Sequence, residues 1–372
     1  MAGIYIHIPF CKQACHYCNF HFVTSLRQKD ELLNALLQET ELQKSYLGNE
    51  TIETIYFGGG TPSLLEMEDV RSLMEKIKAV FKVNADAEIT LEANPDDINE
   101  EMLAGWKAAG INRLSIGAQS FFEEDLLWMN RAHNAKQATG NLQLATQYFD
   151  NITIDLIYGT PQLTNEKWKY NVETAMALNI PHLSCYALTV EPKTPLDRMI
   201  QQQKSEDVNP AKQSEQFILL MQWMKDAGYE HYEISNFARP GYRSRHNSSY
   251  WQSKQYLGLG PSAHSYNGSE RQWNISNNRK YIRSIREGIL PFEKEILTPV
   301  QKLNEYIMIS LRTPEGINMD IVRSHFGIEK EELFNRSKKY IDTGLLVVEN
   351  NLLKLTREGK LLADGIAASL FF

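Results

Sequence analysis

The sequence predicts an α/β protein whose strands run parallel, followed by a smaller C-terminal α+β domain. Over the first two thirds of the chain, short β-like runs alternate with longer helical patterns, and this alternation is typical of parallel strands joined by helical crossovers. Near the end of the chain, helices precede a hairpin-like stretch. Six or more strand–helix units suit an open sheet or a full or partial βα barrel, and in both arrangements functional groups gather at the C-terminal ends of the strands.

The predicted strands are short runs of β-branched, aromatic and aliphatic residues. They span residues 4–8, 51–57, 88–93, 113–118, 151–158 and 182–190, with a further short strand at 231–235. Between them, apolar residues recur three and four positions apart, as Leu32, Leu33 and Leu36 do, which indicates amphipathic helices. These helices are expected at 29–47, 66–82, 99–109, 134–148, 164–178 and 210–227.

The C-terminal third departs from this alternation and divides the chain into three parts. Residues 1–240 form the predicted large domain. Residues 241–297 are rich in Gly, Ser and aromatic residues and show little periodicity, so we expect loops that cover its mouth. Residues 298–372 predict two or three short helices and then a hairpin that turns at Asn350 and Asn351, an order that resembles a winged helix.

The composition disfavours several classes of protein. No run of about 18 or more apolar residues indicates an integral membrane segment, and MAGIYIHIPFC lacks the basic start of a secretory signal. A formal net charge of −7 disfavours nucleic-acid binding, as does the balance of ten Lys and Arg against ten Asp and Glu over 300–372. Four cysteines in 372 residues are too few for a disulfide scaffold, so we expect a protein of the reducing cytoplasm.

Three of the four cysteines crowd into CKQACHYC, residues 11–18, directly after the first predicted strand. Thiolates at such spacing suit soft metals. Zinc normally takes four closed ligands, and His7, His16 or His21 could complete a zinc site. A four-iron cluster also takes four ligands, usually cysteines, so Cys11, Cys15 and Cys18 would leave one iron open to a substrate or cofactor.

Other candidate residues follow or lie on the later strands. Three glycines in YFGGGTPS (56–63) allow the backbone to approach a ligand closely, although a simple tight turn explains them equally well. Glu92 in TLEANP and Asp155 in IDLIYGTP are carboxylates on otherwise apolar strands, where a charge is costly unless it is paired. Each of them is either a ligand-binding group or half of a structural ion pair.

The motif C-x3-C-x2-C resembles the signature of radical S-adenosylmethionine (SAM) enzymes. The ordered motifs IYIHIPFC, YFGGGTPS, TLEANP, SIGAQSF, MNRAH, DLIYGTP and YEISNFA resemble, over nearly the whole chain, the oxygen-independent coproporphyrinogen III oxidase family. This resemblance implies a partial (β/α)6 TIM-like barrel with a cluster loop at 9–22. It also implies a 4Fe-4S cluster whose unique iron is chelated by SAM, and an electron donor such as flavodoxin or ferredoxin.

The resemblance also assigns site residues. By position in the motifs, Tyr5, Gly60 and Glu92 would contact the cluster-bound SAM. Residues that match positions holding a second SAM in the oxidase are Thr61, Gln119, Arg131 and Asp155. In LGLGPSAHS, His264 is either a further residue of the SAM site or an ordinary loop histidine.

Two departures from the oxidase pattern divide the functional hypotheses. The oxidase carries a fourth cysteine two residues after the third, where this chain has Phe20, and HNSSYW (246–251) resembles the H-N-x-x-Y-W mark of a haem chaperone branch. The first hypothesis is therefore a protein that binds haem, with His246 as candidate ligand beside Tyr250 and Trp251, and hands it to an accepting protein. Alternatively, His246 only hydrogen-bonds a loop. The second hypothesis is the oxidase itself, which decarboxylates coproporphyrinogen III to protoporphyrinogen IX.

Overall fold

The computed structural model describes residues 1–372, in which fifteen strands and fourteen α-helices are formed. The strands are β1 (Ala2–Ile8), β2 (Ile52–Gly59), β3 (Val83–Ala93), β4 (Arg113–Gln119), β5 (Ile152–Tyr158), β6 (His182–Ala187), β7 (Glu230–Glu233), β8 (Asn236–Ala238), β9 (Gln255–Leu259), β10 (His264–Tyr266), β11 (Glu270–Asn274), β12 (Phe292–Ile296), β13 (Ile317–Asn318), β14 (Leu346–Glu349) and β15 (Leu352–Leu355). The helices are α1 (Lys29–Leu42), α2 (Met67–Val80), α3 (Glu100–Ala108), α4 (Glu123–Trp128), α5 (Ala135–Ala145), α6 (Asn165–Ala177), α7 (Pro195–Gln201), α8 (Pro210–Asp226), α9 (Arg245–Trp251), α10 (Asn278–Arg286), α11 (Pro299–Leu311), α12 (Met319–Phe326), α13 (Lys330–Asp342) and α14 (Ala363–Ser369).

Twelve strands form one sheet in the order β12-β11-β10-β9-β1-β2-β3-β4-β5-β6-β8-β7. The seven strands from β9 to β6 pair in parallel, and antiparallel strands extend the sheet at both edges. The predicted α/β fold with parallel strands and helical crossovers is therefore confirmed. None of the helices combines the length and the apolar content that a membrane-spanning segment requires.

The two faces of the parallel strands differ in burial. On one face, side chains such as Ile6, Leu91 and Ile154 are fully buried beneath the crossover helices, and Trp106 and Trp168 of α3 and α6 complete this core. The other face carries partly exposed side chains at alternate positions, since neighbours in a strand point to opposite faces. The residues on this second face, the open face of the sheet, are Tyr5, Tyr56, Glu92, Asp155 and Tyr186. Most of the chemically useful side chains thus share the open face.

Loops were expected at residues 241–297, and this prediction is wrong. The segment contains two helices and four strands. Strand β9 extends the parallel sheet by pairing with β1, with Gly3 opposite Tyr256. These elements escaped prediction because each is short. Strands of three to five residues and a seven-residue helix offer too few positions for a hydrophobic period to emerge.

The C-terminal residues form a separate unit with its own core and its own sheet, in the order β13-β15-β14. The order α11, β13, α12, α13, β14, β15 matches the predicted helices followed by a hairpin. The turn between β14 and β15 is the predicted one: Asn350 and Asn351 have φ of +51° and +64°, and Glu349 pairs with Leu352. Two positive φ values at a two-residue turn match the right-handed twist of the strands that it joins.

Candidate functional site

The three clustered cysteines lie in the loop that follows β1, at the C-terminal edge of the sheet. This loop is held against the segment after α4: the amide of Asn130 donates to the carbonyl of Ala14 (2.7 Å), and Gln13 donates to Asn130 (2.6 Å). The backbone N–H of His16 also donates to the carbonyl of Met129 (3.1 Å). These hydrogen bonds connect the cysteine loop to the segment that follows α4.

The thiols are partly buried, and all four cysteines of the chain are free. Burial raises the pKa of Cys11 to about 11 and also raises the pKa of Cys18. Metal binding deprotonates a coordinating thiol and so overcomes this effect. Arg131 Nη1 donates to Cys15 Sγ at 3.2 Å, which places a fixed positive charge beside the sulfur atoms.

The donor set fits an iron–sulfur cluster better than a zinc ion. The three histidines considered for a zinc site each hydrogen-bond a protein oxygen through one ring nitrogen: His16 Nδ1 to the carbonyl of Trp128, His7 Nε2 to the carbonyl of His21, and His21 Nε2 to Asn278 Oδ1. No group of three His, Cys, Asp or Glu side chains lies close enough to hold one ion. A cubane needs no such closeness, because each cysteine binds a different iron.

The strand ends beside this loop bring Gly60, Thr61 and Arg131 together through Asn94. Asn94 donates to Thr61 Oγ1 (3.3 Å) and accepts from Arg131 Nη2 (2.7 Å). Gly60 N donates to the carbonyl of Ile8 (2.9 Å), and a Cβ at Gly60 would lie 2.6 Å from the carbonyl oxygen of Phe10. Any larger residue at position 60 would push the GGGTP segment away from the cysteine loop.

Glu92 lies on the open face between Tyr56 and the glycine turn. Tyr56 OH donates to Oε1 (2.8 Å) and Gly59 N donates to Oε2 (3.1 Å). Burial nevertheless raises the pKa of Glu92 to about 7, and the nearby Asp155 contributes to the rise. No cation of the protein pairs with Glu92 within salt-bridge distance, so the structural ion pair that the sequence analysis left open is not formed.

Asp155 and Gln119 lie further across the same face. Burial raises the pKa of Asp155 to about 6, partly offset by Ser184, Arg113 and Arg131. Gln119 ends β4 with φ of +64° at an irregularity in its pairing with β5. A non-glycine residue in the left-handed region is uncommon, and such strain concentrates at functional sites.

Tyr5 joins this group, whereas His264 does not. The Tyr5 ring stacks on Tyr56 at 6.0 Å, and its hydroxyl donates to His7 Nδ1 at 3.3 Å. His264 has an exposed side chain on β10 and stacks against Trp273. No hydrogen bond or ring contact links His264 to the other candidate residues.

The geometry of His246 favours the second of its two interpretations, a histidine that hydrogen-bonds its own neighbourhood. It is 2% exposed, with Nδ1 2.7 Å from Thr54 Oγ1 and Nε2 2.9 Å from Tyr250 OH. Its ring stacks on Tyr56 at 5.0 Å. A haem iron requires a free nitrogen lone pair, and both ring nitrogens of His246 are engaged here.

Sequence reasoning missed two residues of the site, Asn94 and Tyr56. Both carry a recognisable signal. Asn94 is polar and sits at the end of a strand directly before a proline, and Tyr56 precedes the glycines at the position that shares a face with Tyr5. Both residues are polar side chains close to the C-terminal end of a predicted strand, and this position identifies them in the sequence.

Comparison with family models gives two matches. Residues 5–175 match the radical SAM superfamily, and residues 297–362 match the HemN C-terminal domain. The first match contains the cysteine loop and every strand-end residue described above. The second coincides with the unit that has its own three-stranded sheet.

Full-length relatives and one solved structure agree with these matches. The chain is 36% identical to heme chaperone HemW of Bacillus subtilis, with 98% of each chain covered, and 33% identical to heme chaperone HemW of Mycobacterium tuberculosis, with 99% and 94% covered. It is 32% identical to the mouse mitochondrial radical S-adenosyl methionine domain-containing protein 1 (99% and 87%). Coproporphyrinogen III oxidase (HemN) from Escherichia coli shares the fold, with a TM-score of 0.86 at 24% identity over 100% of this chain and 90% of that one.

Proposed function

Because the chain belongs to the HemW branch of the radical SAM superfamily, we propose that it is a haem chaperone that binds haem and transfers it to an accepting protein. The observation that carries this proposal is the similarity to proteins named heme chaperone HemW along nearly the entire chain, including both family-model regions. The accepting protein would be a haem protein of the same compartment, which the free cysteines suggest is the cytoplasm.

The proposal includes a 4Fe-4S cluster held by Cys11, Cys15 and Cys18, with SAM at the remaining iron. When bound and reduced, such a cluster would supply an electron to the sulfonium of SAM. Around it, Gly60 and Tyr5 shape the wall and Glu92 offers a carboxylate to a cationic group of SAM. Arg131, which donates to Cys15 Sγ, balances the charge of the thiolates.

The residues across the open face are proposed to extend this pocket. Gln119 on β4 and Asp155 on β5 lie further along the sheet than Glu92 on β3, whereas Thr61 follows β2. We propose that these residues hold a second SAM or part of another ligand. An electron donor such as flavodoxin or ferredoxin would reduce the cluster from outside. His264 makes no hydrogen bond or ring contact with this group and is proposed only as a rim residue.

The oxidase is the second candidate, and the shared fold with coproporphyrinogen III oxidase from Escherichia coli favours it. That likeness, at 24% identity, shows the fold alone. Phe20 argues against the oxidase, because its phenyl ring is 69% exposed on the cluster loop and offers neither a thiol nor a hydrogen bond.

Anaerobic reconstitution followed by three measurements on one sample tests the proposal. We expect about four irons per chain, saturable haemin binding near one equivalent, and no turnover of coproporphyrinogen III. Cys15→Ala should abolish the iron–sulfur absorption, while Cys185→Ala, at a buried cysteine outside the loop, should retain it. Efficient turnover of coproporphyrinogen III, or a wild-type protein that binds no haemin, contradicts the chaperone assignment.

A further inference from the structure

A polar cavity of about 560 Å³ opens beside the cluster loop, between the N-termini of α1 and α10. Only one of its nine lining residues, Val23, is hydrophobic; the others include Arg27, Gln28, Asn278 and Arg279. We infer that this cavity is a binding site for an anionic group, either a carboxylate or a phosphate.

Charge is the first reason. Neither Arg27 nor Arg279 takes part in any ion pair of the structure, although the chain carries seven more acidic than basic residues. Glu31, in the first turn of α1, is paired with Arg286 at 3.0 Å. Both arginines are exposed, line this one cavity and have no acidic partner, and a guanidinium group suits carboxylate or phosphate oxygens.

The two helix N-termini add donors at the same place. Helix α1 has 14 residues, and its N-cap residue Gln28 makes no side-chain capping bond. The first-turn N–H groups of Asp30 and Glu31 consequently have no acceptor within the protein. Helix α10 has nine residues and begins at Asn278. The positive ends of both helix dipoles therefore meet at the cavity, where they favour a negative charge.

The buried side chain of Asn278 is an independent indication of a ligand in this cavity. This side chain is only 5% exposed and lines the cavity. Its Oδ1 accepts from His21 Nε2 at 2.7 Å, but its buried Nδ2 has no hydrogen-bond partner. Buried amide donors in native proteins are nearly always satisfied, and we expect the Asn278 amide to turn toward an anion that binds in the cavity.

The cavity is connected to the proposed SAM site through His21. The carbonyl of His21 accepts from His7 Nε2 (2.9 Å), and His7 Nδ1 accepts from Tyr5 OH (3.3 Å). His21 lies three residues after Cys18, within the cluster loop. A bound anion would thus fix one end of a hydrogen-bond chain that reaches Tyr5.

Titration with inorganic phosphate tests the site on the reconstituted protein with SAM present, at low ionic strength. We expect saturable binding at one site per chain, weakened at least tenfold in Arg27→Gln/Arg279→Gln. The matched control is Arg283→Gln on the same helix, whose guanidinium is 81% exposed and pairs with Glu287; this variant should bind phosphate as the wild type does. Equal affinity in all three proteins, or no saturable binding to the wild type, overturns the inference.

A second pair of titrations identifies the source of the anionic group, and this step rests on the proposed function. If haem propionates occupy the cavity, haemin binds at least tenfold more tightly than haemin dimethyl ester, and the double variant loses the difference. If haemin and its ester bind equally while the phosphate difference persists, the site serves a phosphate-bearing ligand. A wild type that binds no haemin would remove the proposed function, yet the phosphate titrations would still decide the site.

Discussion

At the scale of single residues, the ionisation of Glu92 should control SAM binding. Burial raises its pKa to about 7, so the carboxyl is largely neutral at pH 6 and largely ionised at pH 8. The ionised form attracts a cationic ligand, so SAM affinity should rise about tenfold over this range. Equilibrium binding to the anaerobic, reconstituted protein measures this effect.

Glu92→Gln should bind SAM more weakly at pH 8 and lose the pH dependence. Asp86→Asn, on the exposed part of the same strand, is the matched control and should keep both properties. A glutamine variant with an unchanged pH profile would show that another group governs the titration.

The hydrogen bonds of His246 lead to a second residue-scale prediction. Burial lowers its pKa to about 3, so the ring is neutral and bonded at both nitrogens. His246→Phe should lower the free energy of unfolding by about 1–3 kcal/mol, because two buried hydroxyl groups lose their partner. Haem affinity should stay within about twofold of the wild type, measured by haemin titration and compared with the exposed His325→Phe. Loss of haem binding without loss of stability would restore His246 as an axial ligand.

At the scale of elements, the buried carboxylate of Glu88 joins strand β3 to the first residues of helix α9. It accepts from the backbone N–H groups of Arg245 (3.0 Å) and His246 (2.9 Å), and it lies 3.8 Å from Arg113 Nε. Glu88→Ala should reduce the free energy of unfolding by about 3–5 kcal/mol, because it leaves Arg113 as an unpaired buried charge.

Urea unfolding of the metal-free protein measures this loss. Glu68→Ala is the control, since Glu68 pairs with Arg71 on the surface and exposed pairs contribute about 0–1 kcal/mol. Equal effects of the two substitutions would mean that α9 does not depend on this carboxylate for its position.

The elements also show what sequence patterns can and cannot predict. Strands β1 to β6 were predicted because each is at least six residues long and periodic helices separate them. Strand β7 was expected at 231–235, but the chain turns after Glu233 and returns as β8, since three-residue strands carry no alternation. Strand β9 contains a glycine and lies far in sequence from its partner β1, so only the tertiary structure reveals the pairing.

The same reasoning explains the candidate site. The cysteine loop, the GGGTP segment and Glu92 could be placed together from the sequence because the C-terminal ends of parallel strands converge. Arg131 follows α4 and was assigned by the family resemblance alone. Asn94, which joins Thr61 to Arg131, and the closed environment of His246 depend on side-chain contacts between distant strands and α9. Spacing in the sequence does not encode such contacts.

At the scale of the whole molecule, the two structural units meet at a pair of buried basic groups. Lys360 Nζ, in the C-terminal unit, lies 2.9 Å from His231 Nδ1. Burial lowers the pKa of His231 to about 3, with a contribution from Lys360, and burial lowers the pKa of Lys360 to about 8. The nearby pair of Arg312 and Glu233 (2.8 Å) and the bond from Ile234 N to the carbonyl of Arg312 (3.1 Å) belong to the same contact.

The direction of the pH effect follows from these shifts. Between about pH 6.5 and 3, a separated His231 binds a proton that the docked His231 does not, so docking weakens as the pH falls. The pKa of Lys360 falls from about 10.5 in the separated state to about 8 in the docked state. Lys360 is therefore protonated in both states under acidic conditions, where it adds no pH dependence. From pH 7.5 to 5, docking should therefore weaken by about 2 kcal/mol.

Hydrogen exchange at the Ile234 amide, which donates to the carbonyl of Arg312, reports this change. His231→Phe/Lys360→Met keeps the ring contact with Phe237 and removes both titrations, so its exchange should lose most of this pH dependence once the intrinsic rate is corrected. If wild type and double variant lose protection equally at pH 5, other groups hold the two units together.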